Sequence, residues 1–420
     1  MSITALLRNR NFDLLWLCHI IGTLGEVLFF AGVVVIVYER TGSALQAVGV
    51  SIAGTLPIAL LGPLAGALVD RYPRQRVIAA GNLLRAGLVA ALLVLVGDGV
   101  ASVWTLYAIT AGLATVNAFY TPARQALLPS LVPKAALVRA NSVMMATYLG
   151  AYAAGFAVGG VLILKLGIRP LVLIDVALFV GAALLIAPLR TSAGADTPAV
   201  IHPPVLSAIS QGLAYLRDHR LARALVTMET LEHVPHGMYM SGMMLVFTQR
   251  ALNADAAGWG YQNSGFFAGQ LLGSLLAMSL AARLARQPGW AIIWNAFLSG
   301  VLTTAYAFSP SLAAAVAVSF MFGPPSAMRD VAQDSLLQAR VEPAMLGRVY
   351  ATRGMLANLS FLLSGLGFAW LADQVPVRWV YGLGGLLYVG TALYALSSVA
   401  IRHSHIKEAA AAPGMMEGAP

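Results

Sequence analysis

Along most of the chain, apolar residues continue without interruption for longer than a β-strand or an amphipathic surface helix requires. Twelve such runs cover 12–37, 45–69, 77–96, 102–121, 141–165, 170–189, 222–248, 259–282, 290–308, 311–333, 347–371 and 377–401. Each approaches the roughly 20 mostly apolar residues with which a helix crosses a bilayer. A membrane β-barrel would show alternating segments of about 10 residues, and the runs here are continuous and rich in Leu, Ala, Val and Gly. The first run is too long for the core of a signal peptide and reads as the first span. The pattern predicts an all-α membrane protein with twelve transmembrane helices in two six-helix bundles.

The longest polar stretch, 190–221, divides the twelve runs into six and six. Pro198, Pro203 and Pro204 punctuate its first part, and 205–217 reads as an amphipathic interfacial helix. The expected organisation is therefore a bundle over 1–189, a cytoplasmic linker over 190–221, a second bundle over 222–401 and a disordered cytoplasmic tail over 402–420. A duplication underlies the two halves. LLPSLVPKAALVRA (127–140) aligns with LLQARVEPAMLGRV (336–349), with Leu127/Leu336, Leu128/Leu337, Val132/Val341, Ala135/Ala344, Leu137/Leu346 and Arg139/Arg348 identical. Parallel six-helix repeats of this kind are a transporter arrangement.

Composition narrows the class further. Of 420 residues 59% are hydrophobic and 10% charged, against about 25% charged in soluble proteins. An ordinary cytosolic enzyme and a disordered chain are excluded. The net charge of +9 is spread between apolar runs, so no basic patch for nucleic acid forms. Cys18 is the single cysteine, which excludes an intrachain disulfide or a multi-cysteine metal centre. Of the 26 Lys and Arg, 20 fall in loops on one side, Arg124, Arg329 and Arg353 among them, and five on the other. Arg85 stands alone inside the third span. The positive-inside rule then places both termini in the cytoplasm.

At the end of the second span the chain reads GPLAGALVDRYPRQRVI (62–78). Small Gly62 and Gly66 permit close helix approach, and Asp70 can face the positive end of another helix. Gly66, Leu68, Asp70, Arg71 and Arg74 resemble the signature loop of the major facilitator superfamily, with Pro73 in place of its second glycine and Gln75 in place of a base. The resemblance implies that Asp70 closes a cytoplasmic gate by meeting the start of the eleventh helix near Leu346 to Arg348. GAYAAGFAVGG (150–160) is similar to the antiporter motif of superfamily exporters at Gly155, Gly159 and Gly160, with Phe156 replacing proline. The arginine expected in the fourth helix of drug/proton antiporters is absent from 104–120. LLRNRNFDLLWL, YERTGSALQAVG and TPARQALLPSLVP are similar to the branch that holds the enterobactin exporter and macrolide-efflux proteins. That likeness implies export of small organic molecules from a bacterial cytoplasm, with proton antiport.

Ionisable groups within spans are expensive, so they line water or pair. Glu26 lies midway along the first span and can take up and release a proton. Arg85, beside Asn82, can pair a carboxylate or bind an anion. In RALVTMETLEHVPHGMYMSGMM (223–244), Glu229, Glu232, His233 and His236 fall within an arc of roughly 100°. These four are expected on the central cavity wall, where they exchange protons together with Glu26 and where Pro235 and Gly237 permit a bend. Asp330 and Asp334 with Arg329 read as a gate counterpart, and Asp175 as an interfacial residue without a role.

The expectation is a secondary active transporter that exports an amphipathic siderophore or drug from a bacterial plasma (inner) membrane by alternating access. Its partners are the small-molecule substrate, protons and the lipid bilayer. No nucleic acid, soluble partner, resident metal or cofactor is called for, enzymatic activity is not expected, and the family implies a monomer. A nickel or zinc exporter remains open, because His233, His236, the glutamates and Met238, Met240, Met243 and Met244 suit transition metals. So do a membrane enzyme with a metal centre at Glu229, His233 and His236, and a receptor or lipid scramblase.

Overall fold

The computed structural model describes residues 6, 9–69, 71–96, 102–133, 136–189, 205–239, 241–280, 284 and 286–404. Every apolar run becomes helix. The first half contains α1 (Arg10–Thr41), α2 (Ala44–Val69), α3 (Arg74–Val96), α4 (Val103–Leu131), α5 (Leu137–Leu166) and α6 (Ile168–Ile186). The linker contributes α7 (Val205–Asp218), and α8 (Arg220–His236) and α9 (Ser241–Leu252) follow. They are followed by α10 (Ala256–Ser279), α11 (Pro288–Ala307), α12 (Leu312–Arg340), α13 (Pro343–Ala372), α14 (Val377–Ser397) and the short α15 (Val399–Arg402). The seventh run is the broken one. α8 carries Pro235 in its last turn and ends at His236, a 3₁₀ turn covers Gly237–Tyr239, and α9 begins at Ser241. A side chain on Gly237 would lie 2.7 Å from the Gly365 nitrogen of α13, so the break occurs where two backbones meet.

The duplication extends to the packing. In the first bundle α1 packs on α5 and α6, α3 on α4 and α6, and α2 on α4. In the second, α8 packs on α13 and α14, α11 on α12 and α14, and α10 on α12. These are the same pairings, helix for helix. The caps repeat as well. Ser102 caps α4 by accepting from the Thr105 nitrogen at 3.1 Å, and Ser311 caps α12 by accepting from Ala314 at 3.3 Å. Both helices run for 29 residues and end on an extended, buried valine, Val132 and Val341. Leu127, Leu128, Leu336 and Leu337, identical between the halves, are all buried beside them.

Three boundaries differ from the sequence expectation, one of them the end of α12, seven residues past its apolar run. The apolar run that ends at residue 121 continues as α4 to Leu131, with Pro122 and Pro129 inside the helix. Ala123, Leu127, Leu128 and Leu131 are buried there, so tertiary packing overrides the proline signal. At the other terminus Ser404, placed in the tail by sequence, is buried and donates to the Ile401 carbonyl at 2.7 Å. Residues 405–420, and the proline-rich part of the linker before 205, lie outside the described residues. The linker helix α7 docks on α13: Thr352 donates to the Ile209 carbonyl at 3.3 Å, and the Tyr215 hydroxyl accepts from the Glu342 nitrogen at 3.4 Å.

The bundles meet through α5 with α10, and through α2 with α9 and α13. At these crossings the residues are small enough for backbones to touch. A Cβ on Gly242 of α9 would sit 2.6 Å from the Ala47 backbone of α2, and one on Gly160 of α5 would sit 2.6 Å from the Ala256 carbonyl of α10. Ser264 adds a hydrogen bond to the Ala153 carbonyl. Gly242→Val should therefore destabilise the folded protein by about 1–3 kcal/mol, the usual cost of overpacking. A lowered melting temperature in detergent checks this, with Gly62→Val, whose Cβ would meet open space, as the neutral comparison.

Candidate transport site

Between the bundles lies a cavity of about 940 Å³, within the range that holds drug-sized ligands. It reaches Gln125, Asn141 and Met145, which are exposed near the α4–α5 junction, and so opens toward that end of the molecule. Among the described residues, eight helices are long and apolar enough to cross a membrane individually. Outside that group fall α4, the broken α8–α9 pair, α10 and α12, and all of them reach the cavity wall. Their polar residues are accommodated because they face the cavity or one another rather than hydrocarbon.

The charged groups on the wall come from the first bundle: Glu26, Arg85 and Arg124. Asn117 of α4 connects the first two. Its Nδ2 donates to Glu26 Oε1 at 3.0 Å, and its Oδ1 accepts from Arg85 Nη2 at 2.8 Å. The Arg85 guanidinium also lies 4.2 Å above the Tyr120 ring centroid, a cation–π contact. A buried carboxylate and guanidinium are thus bridged by an amide instead of being in contact. His19 lies on the same wall, 3.3 Å from the Thr23 hydroxyl, with its ring stacked on Tyr148.

The facing wall, from the second bundle, is mainly aromatic. Tyr239, Phe266, Phe267, Tyr306, Phe322 and Phe361 contribute to it. Their rings pack on one another, Tyr239 against Phe322 at 5.2 Å and against Tyr306 at 5.9 Å. Aromatic rings also line the first-bundle side, among them Phe29, Phe30, Tyr148, Tyr152, Phe156 and Phe179, so the cavity is aromatic throughout and its charged groups lie on one side.

The seventh run divides its four ionisable residues differently from the sequence expectation. His236 does line the cavity, 3.2 Å from the Tyr388 hydroxyl. Glu229 and Glu232 face the interior of their own bundle. Arg329 of α12 pairs with Glu232 at 3.1 Å, and Asn295 of α11 donates to the same carboxylate at 3.0 Å. Arg353 of α13 bridges Glu229 and Asp334, and Gln333 donates to Glu229 at 2.6 Å. His233 sits 2.8 Å from the Glu229 carbonyl, outside the cavity lining. An arc on a helical wheel says which residues share a face; it does not say which neighbour that face meets. Two arginines counted as loop charges, Arg329 and Arg353, supply those partners from inside helices. Asp330 pairs with Arg329 at 3.2 Å.

Further differences concern single residues. Arg124, also counted as a loop charge, lies inside α4 and lines the cavity. Thr110, Asn117, Thr121 and Arg124 fall within an arc of about 60° on a helix, a signal that the early end of the apolar run concealed. Asp175 is not interfacial: it is fully buried in α6, and among the described residues neither carboxylate oxygen meets a donor. Gly155 packs on Val27, Gly159 on Leu28 and Ala31, and Gly160 on the α10 backbone. Gly62 faces open space in this state, while Gly66 lies on α2. Arg71 is exposed, and Arg74 donates to the Ala126 carbonyl at 2.8 Å. Asp70 lies outside the described residues. Among those described, no three His, Cys, Asp or Glu side chains gather as a metal site.

Residues 1–413 match a family described as transmembrane secretion effectors of the major facilitator type. The chain belongs to that family. This major facilitator transporter is 26% identical to an uncharacterized MFS-type transporter, YjbB, of Bacillus subtilis, over 94% of this chain and 97% of the relative. It is 24% identical to macrolide efflux protein A of Streptococcus pyogenes, covering 91% and 94%. The multidrug efflux pump Tap of Mycolicibacterium fortuitum is 31% identical, covering 79% and 82%. Among solved structures, the nucleoside transporter NupG superposes with a TM-score of 0.68 at 11% identity, over 92% of this chain and 99% of that one. An inward-facing bacterial homologue of ferroportin superposes at 0.66 and 17%, over 94% and 99%. These two likenesses show the fold alone: twelve spans in two six-helix bundles.

The ion pairs of the second bundle provide a stability test. Arg353→Met leaves the Glu229 carboxylate without its charged partner and should cost about 3–5 kcal/mol, as breaking a buried pair does. Adding Glu229→Leu to Arg353→Met should recover a large part of that loss. A double-mutant cycle on thermal unfolding in detergent measures both effects.

Proposed function

We propose that the protein exports a small amphipathic organic molecule, of drug or siderophore type, by alternating access coupled to inward proton movement. The observation that carries the reading is a cavity lined by aromatic rings from both bundles, with Glu26, Asn117, Arg85 and Arg124 on its first-bundle side. Such a surface fits a ligand with both an apolar body and polar groups. The efflux activities named for two of the relatives support export as the direction, and the drug class over the siderophore.

The loop charges orient the cavity mouth toward the cytoplasm, together with both termini. Solute enters there and spreads over the aromatic rings. A charged carboxylate is costly once the cavity closes around it, so Glu26 must be neutral or partnered before the bundles rock. Asn117 links its protonation to Arg85 through two hydrogen bonds. Solute leaves on the far side, a proton loads Glu26 there, and the return delivers it to the cytoplasm. Asp70 then serves the opposite state by meeting the start of α13 when the cytoplasmic mouth closes, and Gly62 and Gly66 allow the approach. Glu229 and Glu232 act as ties that hold α8 to α11, α12 and α13.

In proteoliposomes with a macrolide antibiotic as the probe, Glu26→Gln should reduce macrolide-driven proton flux about tenfold or more, while Glu232→Gln keeps flux per folded molecule close to wild type. Undiminished flux in Glu26→Gln contradicts the coupling role. Asp70→Asn should slow export from cells without lowering the amount of protein in the membrane, as measured by uptake and immunoblotting together.

A further inference from the structure

Opposite the cavity mouth, the first residues of α2 are capped by a side chain from the other bundle. Asp373, at the end of α13, accepts from the Ala44 nitrogen at 3.0 Å, the Leu45 nitrogen at 3.3 Å and the Ser43 hydroxyl at 2.9 Å. The first N–H groups of a helix have no partner within it and carry its partial positive charge. Asp373 supplies acceptors to two of them and a negative charge to the helix end. Its carboxyl is held below the usual carboxylate range: partial burial opposes the charged form, but the hydrogen bonds from Ala44, Ser43, Leu45 and Arg250 outweigh it.

Arg250, at the end of α9, completes the arrangement. Its Nη2 pairs with Asp373 Oδ1 at 3.1 Å and donates to the Gly42 carbonyl of the first bundle at 2.6 Å. Its Nη1 donates to the Ala372 carbonyl at 2.7 Å. Gly42 closes α1 in the left-handed region, at φ 63°, a conformation that presents its carbonyl at the α1–α2 corner. Just inside this cluster, the backbones of Gly242 and Ala47 make the close crossing described above. Nearby Arg378 differs in kind, since its three acceptors, on Ala307, Ser309 and Ala251, all belong to its own bundle.

We propose that Asp373, Arg250 and the N-terminus of α2 form the gate that seals the far end of the cavity in this state, and that its rupture is the step that opens the release side. The inference rests on the alternating-access reading. The bonds of Asp373 to Ser43, Ala44 and Leu45 and of Arg250 to Gly42 join one bundle to the other, so rocking must break them, and they re-form when the transporter resets. Gate strength therefore sets the balance between the two states. Weakening it moves the population toward the outward-open form.

The test uses the full-length protein in liposomes, with Cys18→Ser and a reporter, Ala47→Cys, buried behind the gate. A water-soluble maleimide probes the reporter without any substrate, which separates failure of this proposal from failure of the export reading. Asp373→Ala should raise the labelling rate about tenfold or more, Arg250→Gln should raise it less, and Asp373→Glu should return it toward the parent rate. Arg378→Gln should leave it unchanged. The charge exchange Asp373→Arg with Arg250→Asp should not restore closure, because an arginine then faces the positive helix end. Unchanged labelling in a monodisperse Asp373→Ala protein overturns the proposal, as does an equal rise in Arg378→Gln. If Asp373→Ala does not fold, Arg250→Gln decides in the same assay, with unchanged labelling again counting against the gate.

Discussion

A charge placed among apolar helices must find either water or a partner, and that requirement organises this transporter. Its ionisable groups separate into three sets accordingly. Glu26, Arg85 and Arg124 reach the cavity. Glu229, Glu232, Arg329 and Arg353 satisfy one another inside the second bundle. Asp373 and Arg250 meet at the bundle boundary. Asp175 is the departure, buried without a donor among the described residues.

The two bundles share one scaffold and use it differently. Helices α4 and α12 have equal length, the same kind of N-cap and the same valine terminus. Yet α4 turns Asn117, Thr121 and Arg124 toward the cavity, whereas α12 turns Arg329 and Gln333 inward to the glutamates of α8. Duplication supplies the packing geometry, and divergence at a few polar positions puts the charged groups of the cavity on one bundle while both contribute aromatic rings. The second bundle is tied internally by the pairs of Glu232 with Arg329 and Glu229 with Arg353.

The fold was legible in the sequence because spanning a bilayer demands long apolar runs, and those runs survive as helices with ends shifted by only a few residues, α4 and α12 excepted. The charges were legible as unusual; their partners were not. Periodicity identified the face shared by Glu229, Glu232, His233 and His236, but the arginines that claim two of them come from α12 and α13, about a hundred residues away. Arg124 went unnoticed as a wall residue because Pro122, read locally, ends its helix. The gate pair escaped notice for a similar reason: Asp373 and Ser43 stand 330 positions apart, and nothing local in either loop announces the contact.

The account's central claim is that water extends between the bundles along the polar face of α4. Cysteine scanning of that helix in a Cys18→Ser background, with a membrane-impermeant thiol reagent applied from the side of the cavity mouth, tests it most directly. The account predicts reaction at Asn117→Cys, Thr121→Cys and Arg124→Cys, and protection at Ala118→Cys and Leu127→Cys, giving a helical period. Uniform protection along α4, or reaction centred on Ala118 and Leu127, would contradict it.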